Sequence, residues 1–114
     1  MELDILPLNL ASEAHRPLVI AGPCSAETEE QVLNTAKSLA QKGCHLFRAG
    51  VWKPRTKPGG FEGNGEMALK WLQQVKESTR MLVGTEVATP EHVELCLKYG
   101  LDMLWIGART TANP

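Results

Sequence analysis

The segment Met81-Leu82-Val83-Gly84-Thr85-Glu86-Val87-Ala88-Thr89-Pro90 decides the fold class, because it joins a strand directly to a helix. Residues 81–87 form a short, mainly apolar run that is typical of a buried strand. Thr89 is a favoured N-cap residue, and Pro90 suits the first helical position that follows it. The sequence therefore predicts a third strand over 81–87 and a third helix that ends at Gly100.

The same order of strand and helix recurs on both sides of this segment. Further strands are predicted over residues 17–23, 44–51 and 103–108, and the first of these is expected to be buried. Helices are predicted from the capping box Thr28–Gln31 to a stop at Gly43, and from about Glu66 to Glu77. The order β-α-β-α-β-α-β predicts parallel strands joined by right-handed crossovers. Two architectures fit it: a small open α/β sheet, or the first half of a (β/α)₈ barrel.

Alternation within the second predicted strand places Arg48 opposite the helices. Phe47 and Val51 would face the helices, whereas Leu46 and Arg48 would face a barrel interior or a cleft. A charged residue in a buried strand needs a ligand or a partner, and the alternative to a ligand is a structural salt bridge with Glu86.

The third helix has its own predicted apolar side. Val93, Cys96 and Leu97 are expected to face inward. His92 and Cys96 are four residues apart and could share a metal ion, but the second ligand pair of a zinc site is missing. The simpler interpretation makes Cys96 a core residue and His92 a surface residue.

Composition excludes several classes of protein. The 114 residues suit one domain, and a net charge of -1 gives no overall footprint for nucleic acid or an anionic membrane. No apolar run reaches the ~20 residues that span a bilayer, and the N-terminus does not resemble a signal peptide. Three widely spaced cysteines argue against a disulfide framework, so a cytoplasmic location is expected. Residues 1–16 are interpreted as an N-terminal extension, and residues 17–114 as one α/β unit.

Positive charge is concentrated after the second strand, in Lys53-Pro54-Arg55-Thr56-Lys57-Pro58-Gly59-Gly60-Phe61-Glu62-Gly63. Prolines stiffen this segment, and arginine and lysine bind phosphate or carboxylate through charge-assisted hydrogen bonds. We interpret the segment as a binding site for an anionic small molecule; a solvated charged loop is the alternative.

Ligands of such folds collect beyond the carboxyl ends of the strands. Cys24, the Lys53 segment, Glu86 and Arg109 all lie at or just past predicted strand ends. Arg109 is either a second anion contact or a solvated loop cation. Cys24 is either a metal ligand or nucleophile, or a small buried apolar residue.

Three motifs together resemble the class I 3-deoxy-D-arabino-heptulosonate 7-phosphate (DAHP) synthases, in the smaller bacterial subtype that is sometimes fused to chorismate mutase. The motifs are Ala21-Gly22-Pro23-Cys24-Ser25, Lys53-Pro54-Arg55-Thr56 and Gly107-Ala108-Arg109-Thr110-Thr111. Phe61-Glu62-Gly63 and Gly84-Thr85-Glu86-Val87 add support, and the resemblance covers about residues 17–114.

The resemblance implies a cytoplasmic, metal-dependent (β/α)₈ TIM barrel that condenses phosphoenolpyruvate with erythrose 4-phosphate, the first step of the shikimate pathway to aromatic amino acids. It implies that a divalent metal acts as a Lewis acid on the aldehyde carbonyl. The resemblance implies that Cys24 is a metal ligand and that the catalytic residues are Lys53 and Glu86. The implied contacts to phosphoenolpyruvate are Arg48, Lys53 and Arg109. The implied contacts to the phosphate of erythrose 4-phosphate are Arg55 and Thr56.

A complete barrel has eight strands and about 250 residues. This sequence supplies about four β/α units, so we expect it to be the N-terminal half of a longer, homo-oligomeric synthase, and inactive and self-associating on its own. The remaining metal ligands would lie in the other half. Two alternatives stay open: a 3-deoxy-D-manno-octulosonate 8-phosphate synthase, and a non-catalytic anion-binding α/β module.

Overall fold

The predicted alternation of strands and helices is present. The computed structural model describes residues 17–52 and 64–107. Its elements are β1 Ile20–Ala21, α1 Glu29–Gln41, β2 Leu46–Arg48, α2 Glu66–Thr79, β3 Leu82–Val87, α3 Pro90–Lys98 and β4 Met103–Ile106. None of these helices is long and apolar enough to cross a membrane.

The four strands form one parallel sheet in the order β1-β2-β3-β4. Each strand pairs with the strand that precedes it in the chain, so the order contains no point at which it reverses. A doubly wound open sheet has such a reversal, and its ligands bind there. Strictly sequential parallel pairing is the strand order of a (β/α)₈ barrel, so the topology favours the first half of such a barrel over a small open α/β sheet.

The helix boundaries follow from their capping residues. Thr28 Oγ1 accepts a hydrogen bond from the backbone N–H of Gln31 at 3.0 Å, and Gln31 Oε1 accepts one from the N–H of Thr28 at 3.4 Å, which confirms the capping box. Thr89 Oγ1 accepts from the N–H of His92 at 3.1 Å at the start of α3. α1 ends just before Gly43, whose φ of +85° is the left-handed conformation that the sequence predicts for a helix stop.

The hydrophobic core lies between the sheet and the helices, as the alternation predicts. On and just after the strands it consists of side chains such as Phe47, Val83 and Val51, and on the helices of Val32, Leu69 and Leu72. Leu46 is also buried, at 2% exposure, but it is not a member of this cluster. The two faces of β2 therefore differ as predicted, and Leu46 and Arg48 are turned away from the helices.

The prediction of a buried first strand over residues 17–23 is wrong in extent and burial. Only Ile20 and Ala21 pair with β2, and the side chain of Ile20 is 43% exposed. In the described sheet β1 has a neighbour on one side only, so one edge stays open. The second strand is shorter than 44–51, and the fourth ends at Ile106. Residues 1–16 and Ala108 lie outside the described residues.

The predicted inward face of α3 is partly wrong. Cys96 is buried and Val93 contacts the core, as predicted, but the side chain of Leu97 is 67% exposed. At about 100° per residue, the buried arc of this helix is centred on His92 and Cys96, which places Leu97 beyond its edge. The sequence interpretation shifted the buried arc toward Val93 and Leu97, because it treated His92 as a surface residue.

Candidate active site

Parallel pairing brings the carboxyl ends of all four strands to one edge of the sheet. Cys24 follows β1, Arg48 is the last residue of β2, Glu86 is near the end of β3, and Gly107 follows β4. The fold therefore places Cys24, Arg48 and Glu86 at the edge of the sheet where ligands of such folds bind.

Arg48 is held at this edge by contacts from β1 and β4. Its Nη1 donates to the carbonyl oxygen of Pro23 at 3.4 Å, and its guanidinium carbon lies 5.1 Å from the ring centroid of Trp105. The cation–π contact and the hydrogen bond hold the guanidinium beside β4, and its other N–H groups can donate to an anion.

A cleft with a volume of about 420 Å³ opens beside this side chain. It is lined by Ile20, Ala21, Gly22, Arg48, Met103 and Trp105. Arg48 is the one charged residue of that lining, and the volume is in the range of small-molecule sites. The prediction that Arg48 points into a cleft is confirmed. Within residues 17–52 and 64–107, no ion pair joins Arg48 to Glu86, so the alternative of a structural salt bridge is not realised there.

Glu86 lies against the end of β4. It pairs in register with Trp105, and a Cβ built on Gly107 would fall 2.6 Å from both Cδ and Oε1 of the glutamate. Glycine at position 107 therefore leaves the space that the carboxylate of Glu86 occupies. Gly107 is the first residue of the motif Gly107-Ala108-Arg109-Thr110-Thr111, so the carboxylate of Glu86 lies at the start of that motif.

Cys24 is exposed, which contradicts the alternative that it is a small buried apolar residue. Its carbonyl oxygen accepts a hydrogen bond from the N–H of Gly50 at 3.2 Å, which ties the segment after β1 to the segment after β2. Cys44 and Cys96 are buried, and all three thiols are free, in accord with the prediction of no disulfide framework. Among the residues that the structure describes, no group of three or more His, Cys, Asp and Glu could hold a metal ion.

Four predicted site residues lie outside the described residues: Lys53, Arg55, Thr56 and Arg109. The described residues on the two sides of the first three are joined by a backbone hydrogen bond. The N–H of Gly65 donates to the carbonyl oxygen of Val51 at 2.8 Å.

Sequence reasoning missed a contact next to this hydrogen bond, between Trp52 and His92. Their rings are stacked, with centroids 3.8 Å apart and planes at 6°. His92 Nδ1 accepts a hydrogen bond from the N–H of Ala88 at 3.1 Å. Burial lowers the pKa of His92, while Glu91 acts in the opposite direction, so the ring stays neutral and able to accept at pH 7.

His92 is half-buried in the first turn of α3, so the prediction of a surface residue holds only in part, and a metal shared with Cys96 is disfavoured. Cys96 is fully buried, and burial raises the pKa of its thiol to about 11, whereas metal ligation needs a thiolate. One sequence signal could have revealed the stack: an aromatic residue follows β2 and a histidine follows β3, and these strands are neighbours.

Comparison with known proteins gives one consistent result. The family model described as the DAHP synthetase I family matches residues 9–114. A curated relative, the phospho-2-dehydro-3-deoxyheptonate aldolase of Thermotoga maritima, is 38% identical over 95 residues. The match covers 83% of this chain and 28% of the relative, so the chain spans less than a third of the relative's length.

Solved structures agree with the sequence comparison. The crystal structure of the Thermotoga maritima phospho-2-dehydro-3-deoxyheptonate aldolase (DAHP synthase) matches with a TM-score of 0.74 and 35% identity, over 84% of this chain and 27% of that one. A truncated form of the 3-deoxy-D-arabino-heptulosonate 7-phosphate synthase from the same organism matches with a TM-score of 0.67 and 32% identity, over 83% and 32%. The resemblance seen in the motifs is thereby confirmed.

Proposed function

We propose that this chain, which belongs to the DAHP synthetase I family, forms the phosphoenolpyruvate-binding side of an enzyme that condenses phosphoenolpyruvate with erythrose 4-phosphate. The products are 3-deoxy-D-arabino-heptulosonate 7-phosphate and inorganic phosphate, at the entry to the shikimate pathway. The observation that carries the proposal is Arg48, held by Pro23 and Trp105 at the wall of a cleft at the carboxyl edge of the sheet.

The reaction explains the need for several cations. Two phosphorylated anions must approach each other, and at short range their repulsion is large unless positive groups offset it. C3 of phosphoenolpyruvate attacks the aldehyde carbon and forms the new C–C bond, the aldehyde oxygen takes up a proton, water adds at C2, and the C2–O bond to phosphate breaks. The first of these steps, formation of the C–C bond, requires both substrates to be fixed in one orientation.

Arg48 suits the phosphoenolpyruvate role because it is always charged and offers paired N–H donors to a carboxylate or phosphate. Its neighbours in the described cleft leave that charge without a carboxylate partner. We assign Lys53 and Arg109 to the same substrate, and Arg55 and Thr56 to the phosphate group of erythrose 4-phosphate.

Glu86 is proposed as the active-site carboxylate beside the water that adds at C2, with Lys53 as its catalytic partner. The support for Glu86 is its position near the end of β3, at the same edge as Arg48, with its carboxylate against Gly107.

A divalent metal, which the family implies, would polarise the aldehyde carbonyl when bound. In residues 17–52 and 64–107 the structure offers the exposed thiol of Cys24 as a donor, but no set of three ligands. These residues alone therefore do not form a metal site. We propose Cys24 as one ligand and expect a histidine, a glutamate and an aspartate from elsewhere in the full-length protein.

Replacing Cys24 by alanine should remove bound metal from the full-length gene product. Loss of a thiolate ligand is expected to weaken metal affinity by at least about tenfold, since even the loss of an outer-shell partner has an effect of that size. Metal content per chain, measured by elemental analysis after dialysis, checks this.

The matched control is Cys44→Ser, because the buried thiol of Cys44 donates to the carbonyl oxygen of Leu46 at 3.3 Å and a hydroxyl preserves that bond. Equal metal content in Cys24→Ala and in the control would exclude Cys24 as a ligand.

The function itself is tested with the full-length gene product and two sugars. We expect phosphoenolpyruvate consumption and phosphate release in equal amounts with erythrose 4-phosphate, and little with arabinose 5-phosphate. A preference for the five-carbon sugar would instead support the octulosonate synthase. Binding of phosphoenolpyruvate without turnover would support the non-catalytic module.

Three further parts of the proposal rest on the resemblance. They are a cytoplasmic location, a homo-oligomeric full-length protein, and fusion to or association with chorismate mutase. The open strand β1, with Ile20 43% exposed, is consistent with a parent that has more strands than the four described.

A further inference from the structure

The described residues on the two sides of positions 53–63 form one small group, which we call the neck. It consists of Val51, Trp52, Asn64 and Gly65. The hydrogen bond from the N–H of Gly65 to the carbonyl oxygen of Val51, at 2.8 Å, joins its two stretches of chain. The indole nitrogen of Trp52 lies close to the Cα of Gly65, since a Cβ built there would be 3.3 Å from it. The neck is therefore a compact unit rather than two independent chain ends.

Two other elements hold the neck in place. Asn64 Nδ2 donates to the carbonyl oxygens of Ala26 and Glu27, at 2.7 and 3.0 Å, and this ties the neck to the segment before α1. On the other side, Trp52 stacks on His92 in the first turn of α3, with 3.8 Å between the ring centroids. The neck is thus clamped between the loop that follows β1 and the helix that follows β3.

The orientation of the His92 ring is itself fixed. Nδ1 accepts from the N–H of Ala88, and the backbone N–H of His92 donates to Thr89 Oγ1, at 3.1 Å each. The imidazole therefore connects Ala88, the residue before the N-cap of α3, to the aromatic residue directly before Lys53.

We propose that His92 is a positioning residue that, through Trp52, fixes the neck to which the cationic residues 53–63 are joined in the chain. This inference rests on the proposed function, in which Arg55 and Thr56 hold the phosphate of erythrose 4-phosphate. Small displacements of a substrate-binding group have large effects on binding, so an anchor outside the segment matters as much as the cations in it.

Phosphoenolpyruvate should depend on His92 less than the aldose phosphate does. Two of its three proposed cations, Arg48 and Arg109, lie outside the segment, and Arg48 is held by Pro23 and Trp105 instead. The inference therefore predicts an unequal effect on the two substrates.

The experiment compares His92→Ala and His92→Phe in the full-length gene product. For His92→Ala we expect the KM for erythrose 4-phosphate to rise about tenfold, the KM for phosphoenolpyruvate to rise less than about threefold, and kcat to change little. His92→Phe keeps a ring for Trp52 to stack on and should recover most of the lost affinity. Hydrogen exchange of the amides of residues 53–63 should be faster in His92→Ala than in the unmutated protein.

The matched control is His45→Ala. His45 Nδ1 also accepts a backbone N–H, from Val19 at 3.0 Å, but it precedes β2 and so lies at the opposite edge of the sheet. This variant should leave both KM values unchanged.

Three outcomes would overturn the inference: unchanged KM values with only a lower kcat, unchanged amide exchange in residues 53–63, or no recovery in His92→Phe. Failure of the proposed function is distinct, because the unmutated protein would then form no product; the exchange measurement would still decide whether His92 anchors the segment.

Discussion

Alanine in place of Gly22 is expected to destabilise the protein by about 4 kcal/mol, most of the stability of a marginal domain. A Cβ at this position would overlap the carbonyl oxygen of Arg48 in the neighbouring strand, and its φ of +150° disfavours side chains as well. The obstacle is backbone, which cannot rotate away as a side-chain tip can. β1 would have to separate from β2 at the point where the chain enters Pro23 and Cys24.

Urea unfolding of the full-length gene product, followed by circular dichroism, measures this loss. Gly100→Ala is the control, because Gly100 also has a positive φ, of +74°, but nothing lies within 4 Å of its added Cβ. That variant should lose only about 1 kcal/mol, the cost of the left-handed backbone alone. Equal losses in the two variants would show that the contact with Arg48 yields easily.

Arg48→Met is expected to lower kcat/KM for phosphoenolpyruvate by a factor of about 10³. The substitution keeps an unbranched side chain against Trp105 but removes the charge-assisted hydrogen bonds, which contribute roughly 1.5–3 kcal/mol each. Arg48→Lys should recover only part of the loss, because an ammonium group keeps the charge without the planar fork.

Steady-state kinetics with phosphoenolpyruvate varied and erythrose 4-phosphate saturating provides the measurement. Arg80→Met is the control, since Arg80 is an exposed cation at the C-cap of α2 and has no part in the cleft. If Arg48→Met retained the KM and kcat of the unmutated protein, the assignment of Arg48 to phosphoenolpyruvate would be wrong.

Local chemistry made much of the fold predictable. Thr28 with Gln31, and Thr89 with Pro90, mark helix starts through hydrogen bonds within a few residues, and both are present. The faces of β2 follow from strict alternation, so the side of the sheet on which Arg48 lies could be derived from the amino-acid sequence alone.

What could not be predicted depends on contacts between distant parts of the chain. The exposure of Ile20 follows from the edge position of β1, which its apolar sequence does not reveal. Leu97 has the right spacing from Val93, but it lies outside the buried arc of α3, which is centred on His92 and Cys96. His92 and Trp52 are separated by 40 positions, and no local pattern relates them.

The order of the strands in the sheet bears on how this protein is made. Among the four described strands, each of β2, β3 and β4 pairs with the one immediately before it in the chain, so these pairings do not wait for a segment that is translated much later. Chains emerge from the ribosome at about 5–20 residues per second, which is slow compared with the pairing of neighbouring elements. We therefore expect the sheet to grow vectorially, with β1 and β2 joined before β4 has been synthesised, and Arg48 to gain its contact with Trp105 only when β4 is added.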